Sequence, residues 1–320
     1  MILPFSNYRY ITPVMILLSI LLVVALMILG PYSSTMLWSN WIMSLALTTG
    51  VWHIVSRFRL EGGSDVRAFA IALPFINGAL QISYCYFCTQ KQFDELRVEV
   101  LALVVILILA MNLWQQRECI LEQISLGLII GITSTLVPHI VYWLLLIPLF
   151  CYHMRCWSLR NVLAALTGIL LGIWILYFST FAAEGEAKAD AMLINYATLI
   201  PSGEYHLPVD GYGVWQYLFL AVHAIVVIGY GISGIVVNVG QTVRTTSSIY
   251  LISSLCILLV GLLFADPQHM TSYLCLLAIL TSIQITIRQA NSRSLAVEWS
   301  ILFITLASTA LSLLPLFIQL

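Results

Sequence analysis

Residues 11–29, ITPVMILLSILLVVALMIL, hold no charged side chain. As a helix this run extends about 28 Å, close to the ~30 Å hydrocarbon thickness of a bilayer. In water it would expose apolar surface on every side. In hydrocarbon a helix satisfies each backbone N–H and C=O from within, as few structures can. A signal peptide has a shorter apolar core and a small-residue cleavage site. No such site is clear here, so the run reads as a retained first span.

The pattern recurs outward from this stretch along all 320 residues, of which 61% are hydrophobic and 8% charged. Mean hydropathy is +1.00. A soluble domain carries roughly 25% charged residues; 8% cannot cover a water-facing surface. Apolar runs bounded by charge, Pro or Gly fall at 11–29, 36–55, 68–88, 98–115, 123–136, 140–153, 161–181, 214–237, 247–264, 271–287 and 295–317. The predicted fold is all-α, a polytopic bundle of about 11 spans forming one transmembrane domain, 1–320. The fifth and sixth runs are short and Pro138 separates them. They are either two tilted spans or a re-entrant pair that counts as one membrane element, about ten in all. Neither choice alters the topology of the remainder.

Lys and Arg placement sets the orientation. With a cytoplasmic N-terminus, Arg9, Arg57, Arg59, Arg67, Arg117, Arg155, Arg160, Arg244, Arg288 and Arg293 fall inside, and Lys91, Arg97 and Lys188 outside. A single added or missed span would scramble this asymmetry. Aromatic residues at the span ends, among them Trp38, Trp41, Trp114 and Trp299, read as interfacial anchors. The loop 182–213 lies outside, with a short surface helix expected over 187–200 and irregular chain beyond Pro201.

Net charge is -1 and no basic run exists, which excludes nucleic acid as a partner. Membrane lipid and other membrane proteins are the expected partners. The seven cysteines lie scattered through apolar stretches and do not form a disulfide framework. Cys85 and Cys88 form C-x-x-C at a helix C-terminal end, the wrong electrostatic sign for a reactive thiolate. No histidine pair has ligand spacing on one helix face, so neither metal nor cofactor is expected.

Two constellations remain as candidate sites. Arg155, Trp157 and Arg160 lie together in M-R-C-W-S-L-R-N, where two guanidinium groups beside an indole suit a lipid phosphate. Their plainer role is positive-inside anchoring. Outside, Asp94 and Glu95 in one loop and Glu204, His206 and Asp210 in another could serve as acid, base or cation ligands, or as solvated loop faces. No Asp, Glu, Lys or Arg falls at the centre of a span as bounded above. Ion-coupled transport usually needs a buried carboxylate, so this expectation weighs against it. Gly127-x-x-x-Gly131 and Gly168-x-x-x-Gly172 provide small faces for close helix packing.

Residues 127–176 are the least generic part of the chain. They read G-L-I-I-G-I-T-S-T-L, then V-P-H, a leucine run, and M-R-C-W-S-L-R-N-V-L-A-A-L-T-G-I-L-L. This resembles a family of polytopic inner-membrane proteins of Bacteroidota with no assigned activity. There a Gly-rich half-helix leads through Ser-Leu and Pro to an Arg–aromatic–Arg turn. The family has Pro after the first Arg and an acid after the second; here Cys156 and Asn161 stand in those places. It has Gly-Pro in the next span, where this chain has Gly172 and Trp174. The resemblance implies an inner-membrane location and transfers no functional residue.

Three functions compete on these grounds. A non-catalytic subunit of an envelope complex fits the small-residue faces and modest loops. An enzyme on a lipid-linked substrate, of the membrane glycosyltransferase kind, would use the outer acids. A transporter or flippase would use the Pro138 break. A reporter fused after Arg160 should read cytoplasmic, and one inserted at Lys188 external; the reverse pair of signals would overturn the orientation.

Overall fold

The computed structural model describes residues 8–29, 33–57, 66–87, 90–116, 119–197, 221, 225, 229, 243–265 and 269–291. These residues are helical, with no strand among them. The helices are α1 (Tyr8–Leu29), α2 (Ser34–Arg57), α3 (Val66–Ile82), α4 (Gln90–Asn112), α5 (Ile120–Leu136), α6 (Leu146–His153), α7 (Leu159–Glu184), α8 (Glu186–Ala197), α9 (Val243–Ala265) and α10 (Met270–Asn291). A π-helical turn, Ser83–Phe87, extends α3, and a 3-10 helix, Pro138–Leu145, precedes α6. Two helices, Leu159–Glu184 and Val243–Leu262, are long and apolar enough to cross a membrane. Nine of the predicted runs coincide with these elements. The runs at 214–237 and 295–317 lie outside the described residues, apart from three isolated positions in the first.

The chain divides into two compact units, one of residues 1–93 and 207–320, the other of 94–206. In the first, Leu22, Val23 and Leu26 of α1 pack with Leu37 of α2, flanked by Trp41 and Tyr84. Uncharged polar groups join the same helices. Trp41 Nε1 donates to Ser19 Oγ at 3.0 Å, Ser44 Oγ to Asn77 Oδ1 at 3.3 Å, and Gln81 Nε2 to the Leu37 carbonyl at 3.1 Å. Each bond satisfies a group that water does not reach. Every side chain of α10 from Ser272 to Ile287 is buried, which makes it the inner helix of this unit.

The second unit is built on a helical hairpin. Pro138 has no N–H and disfavours α geometry in the residue before it. Val137 is accordingly extended, at φ -135 and ψ 92, and α5 stops. The chain then returns as the 3-10 helix and α6. Gln123, near the start of α5, touches Cys151 in the last turn of α6, so the two limbs run antiparallel. Their lengths are about 26 and 28 Å.

α7 runs parallel to α5, backbone against backbone. A Cβ built on Gly127 or Gly131 would strike the carbonyl oxygen of Ala165 or Ile169. One on Gly168 would strike that of Ile124, and one on Gly172 would lie 2.7 Å from that of Leu128. The two small-residue motifs therefore serve each other within one chain. Ser158 caps α7 by accepting from the Asn161 N–H at 3.1 Å. At its far end, α8 realises most of the short helix expected over 187–200.

Gly127→Ala should destabilise the protein by about 1–3 kcal/mol or more, since a backbone must move to admit the methyl. Gly172→Ala should cost less. Gly261→Ala, where the methyl meets nothing within 4 Å, should be neutral or stabilising. Thermal unfolding in detergent orders the three; equal effects would contradict the backbone contact.

Candidate functional site

α4 begins at Gln90, eight residues before the predicted span at 98. Asp94 and Arg97 pair across one turn at 3.3 Å, which lets a charged stretch continue the helix. Glu99 is thereby moved from a span boundary to the helix interior, about 13 Å from Gln90 and 20 Å from Asn112. Its side chain is 1% exposed, and His139 Nε2 lies 2.9 Å from its Oε1 with the imidazole 2% exposed. The expectation was that no charged side chain sits at the centre of an apolar run; the structure buries this carboxylate in the interior of α4.

The turn at Pro138 positions the imidazole. Val137 is extended and Pro138 opens the 3-10 helix, so His139 leaves the hairpin at its tip. The apolar residues near Glu99 and His139 in sequence are buried too, Val100 and Leu103 on α4 and Val137, Ile140 and Trp143 around the turn. Polar groups this deep are costly to leave alone, so removing either partner strands the other.

A second constellation lies at the opposite end of the hairpin. Gln123 Nε2 is 3.4 Å from Cys151 Sγ, 3.8 Å from Cys156 Sγ and 3.9 Å from Cys119 Sγ. All three thiols are free and buried. The end of α6 explains the convergence. Cys156 N–H donates to Cys151 O at 3.0 Å and Arg155 N–H to Tyr152 O at 3.2 Å, while Arg155 is left-handed at φ 55. This is a Schellman ending, which usually seats an apolar contact between the residues that here are Cys151 and Cys156. Burial pushes the Cys119 thiol up to about 11, with the neighbouring Cys156 adding to it. Cys156 is held further up by the hydrogen bond it gives Cys151 and by burial. A thiol raised on folding keeps a proton that the unfolded chain releases. Its contribution to stability is therefore present below pH 9 and lost as pH rises from 9 towards 11.

Arg155 and Trp157 stand exposed in the turn between α6 and α7 and Arg160 in the first turn of α7, with the Arg155 guanidinium 5.7 Å from the Trp114 ring centroid. Asp94 is exposed and engaged with Arg97, and Glu95 is half-buried beside it. Glu204, His206 and Asp210 lie outside the described residues, as does Cys88. Cys85 is half-buried. Among the described residues no three His, Cys, Asp or Glu side chains are arranged to hold a metal ion.

No family model, curated protein or solved structure matches this chain. Its chemistry is therefore argued from its own residues.

Breaking the buried pair with Glu99→Leu or His139→Leu should destabilise by about 3–5 kcal/mol each, and the double replacement by less than the sum. A double-mutant cycle on chemical unfolding measures the coupling; additive losses would show that the two groups do not interact.

Proposed function

We propose that the chain is a multi-pass inner-membrane protein of about eleven spans that moves protons through the Glu99–His139 pair, in the manner of a transporter or flippase. The single observation behind this reading is the 2.9 Å contact between two titratable groups, both at most 2% exposed, inside an apolar hairpin assembly. Ionisable side chains at membrane depth are costly and mark ion pathways more often than architecture. A purely structural subunit has no need of one. The oily composition and the Lys/Arg asymmetry support the multi-pass placement. The likeness of residues 127–176 to Bacteroidota inner-membrane proteins supports the compartment.

The site lies at a broken helix, as binding sites of many transporters do. His139 begins the irregular limb, so small adjustments of the 3-10 helix would swing its ring towards or away from Glu99. On the predicted orientation, the pair lies in the outer half of the membrane. Arg155, Trp157 and Arg160 then hold lipid phosphate at the cytoplasmic face.

One observation favours the subunit reading instead. Leu163, Leu166, Leu170, Trp174 and Phe178 form an exposed stripe along α7, and only 28% of that span is buried. Lipid or a partner helix would cover it.

The two readings part on proton access. Infrared spectra of membranes transferred to deuterium oxide should show a carboxyl band, absent in Glu99→Gln, that exchanges within minutes. Proteoliposomes should acidify under an imposed potential, and Glu99→Gln should slow this at least tenfold. A band that stays protiated for hours, with no proton flux, would reduce the pair to a sealed structural contact.

A further inference from the structure

We propose that Cys151 and Cys156 form a reversible dithiol–disulfide site that consumes a hydroperoxide. Three observations carry it. The Schellman ending of α6 closes Cys156 N–H on Cys151 O at 3.0 Å, which holds the two Cα atoms within the roughly 4.4–6.8 Å that a disulfide bridges. Gln123 presents its amide N–H to Cys151 Sγ at 3.4 Å, with Cys156 Sγ 3.8 Å from the same nitrogen. A donor so placed can stabilise the charge that the sulfur carries as it attacks. Finally, Gln123 is fully buried and its Oε1 meets no donor among the described residues. A carboxamide placed only to stabilise the fold would not leave its stronger group unsatisfied while its N–H faces three soft sulfurs.

The chemistry closes in two steps. The Cys151 thiolate attacks one oxygen of the peroxide; an S–O bond forms, the O–O bond breaks, and the alkoxide leaves with the proton that Cys151 gave up. The Cys156 sulfur then attacks the sulfenic sulfur. An S–S bond forms, the S–O bond breaks, and hydroxide takes the Cys156 proton to leave as water. Two thiols and one hydroperoxide give one disulfide, one alcohol and one water, with both electrons supplied by sulfur. The buried position excludes a protein oxidant and admits a small one. Hydrogen peroxide from water and a fatty-acid hydroperoxide from the bilayer share the reacting bond. Cys119 lacks the backbone closure that joins Cys156 to Cys151 and stays a bystander.

Full-length protein in vesicles is treated in parallel with hydrogen peroxide and with a fatty-acid hydroperoxide, then alkylated, digested and mapped without reduction. A peptide joining Cys151 to Cys156, lost on dithiothreitol treatment, is expected, with Cys119 still alkylated. The faster arm identifies the source. Cys119→Ser should leave the reaction unchanged, and Gln123→Leu should slow it roughly tenfold and move its pH profile upward. Free Cys151 and Cys156 at a dose that oxidises an exposed thiol would overturn the proposal. So would separate sulfonic acids, or a bridge to Cys119. The wild-type map alone decides, so a variant that failed to fold would not obscure the answer.

Discussion

The second unit depends on the contact between α5 and α7, where two backbones meet with no side chain between them. With the backbones this close, van der Waals contact along the whole face holds them together. Gly127 and Gly131 on one helix and Gly168 and Gly172 on the other remove every obstacle. Once α7 occupies that face of α5, the returning limb must take another. Its last turn then falls beside Gln123, and its first residue falls at the tip where Glu99 arrives from α4. Both candidate sites are thus consequences of one packing decision.

That decision also explains why polar groups are tolerated there. A regular helix has no spare hydrogen-bonding capacity in its interior. Two of the breaks in this unit, at Val137–Pro138 and at Met154–Arg155, expose groups that need partners. The buried pair lies at the first break and the thiol cluster at the second. The first unit differs: its buried Asn, Gln and Ser side chains bond one another or a carbonyl between intact helices, as uncharged glue.

Much of the architecture was legible because apolar length and Gly spacing act locally. Residues 161–181, for example, became α7 with a few residues added at each end. The small-residue motifs announced close packing, though not that they would pair with each other, which depends on the hairpin's fold. Glu99 was misplaced for a physical reason. The charged stretch ahead of it looks like a loop to any reading by hydropathy, and only the Asp94–Arg97 pairing shows how it stays helical. His139 drew notice as a neighbour of Pro138, yet its partner stands forty positions earlier. The thiol cluster gave no signal at all. Its members are separated in sequence, and the C-x-x-C that did stand out has only Cys85 among the described residues.

The two sites are opposite ends of one hairpin, about 26 Å apart along α5. Their surroundings suit different chemistries. At the tip, two titratable groups face each other at full burial, where a lone charge is costly. At the open end, sulfur replaces oxygen and nitrogen, and soft, weakly hydrated atoms tolerate burial that charged ones resist. A disulfide there would clamp the last turn of α6 to the start of α7. The limb that carries His139 would then be fixed at its far end while α5 stays packed on α7. Oxidation at one end would therefore restrict the adjustment that the other end needs, through a rigid element and not through any direct contact between the sites.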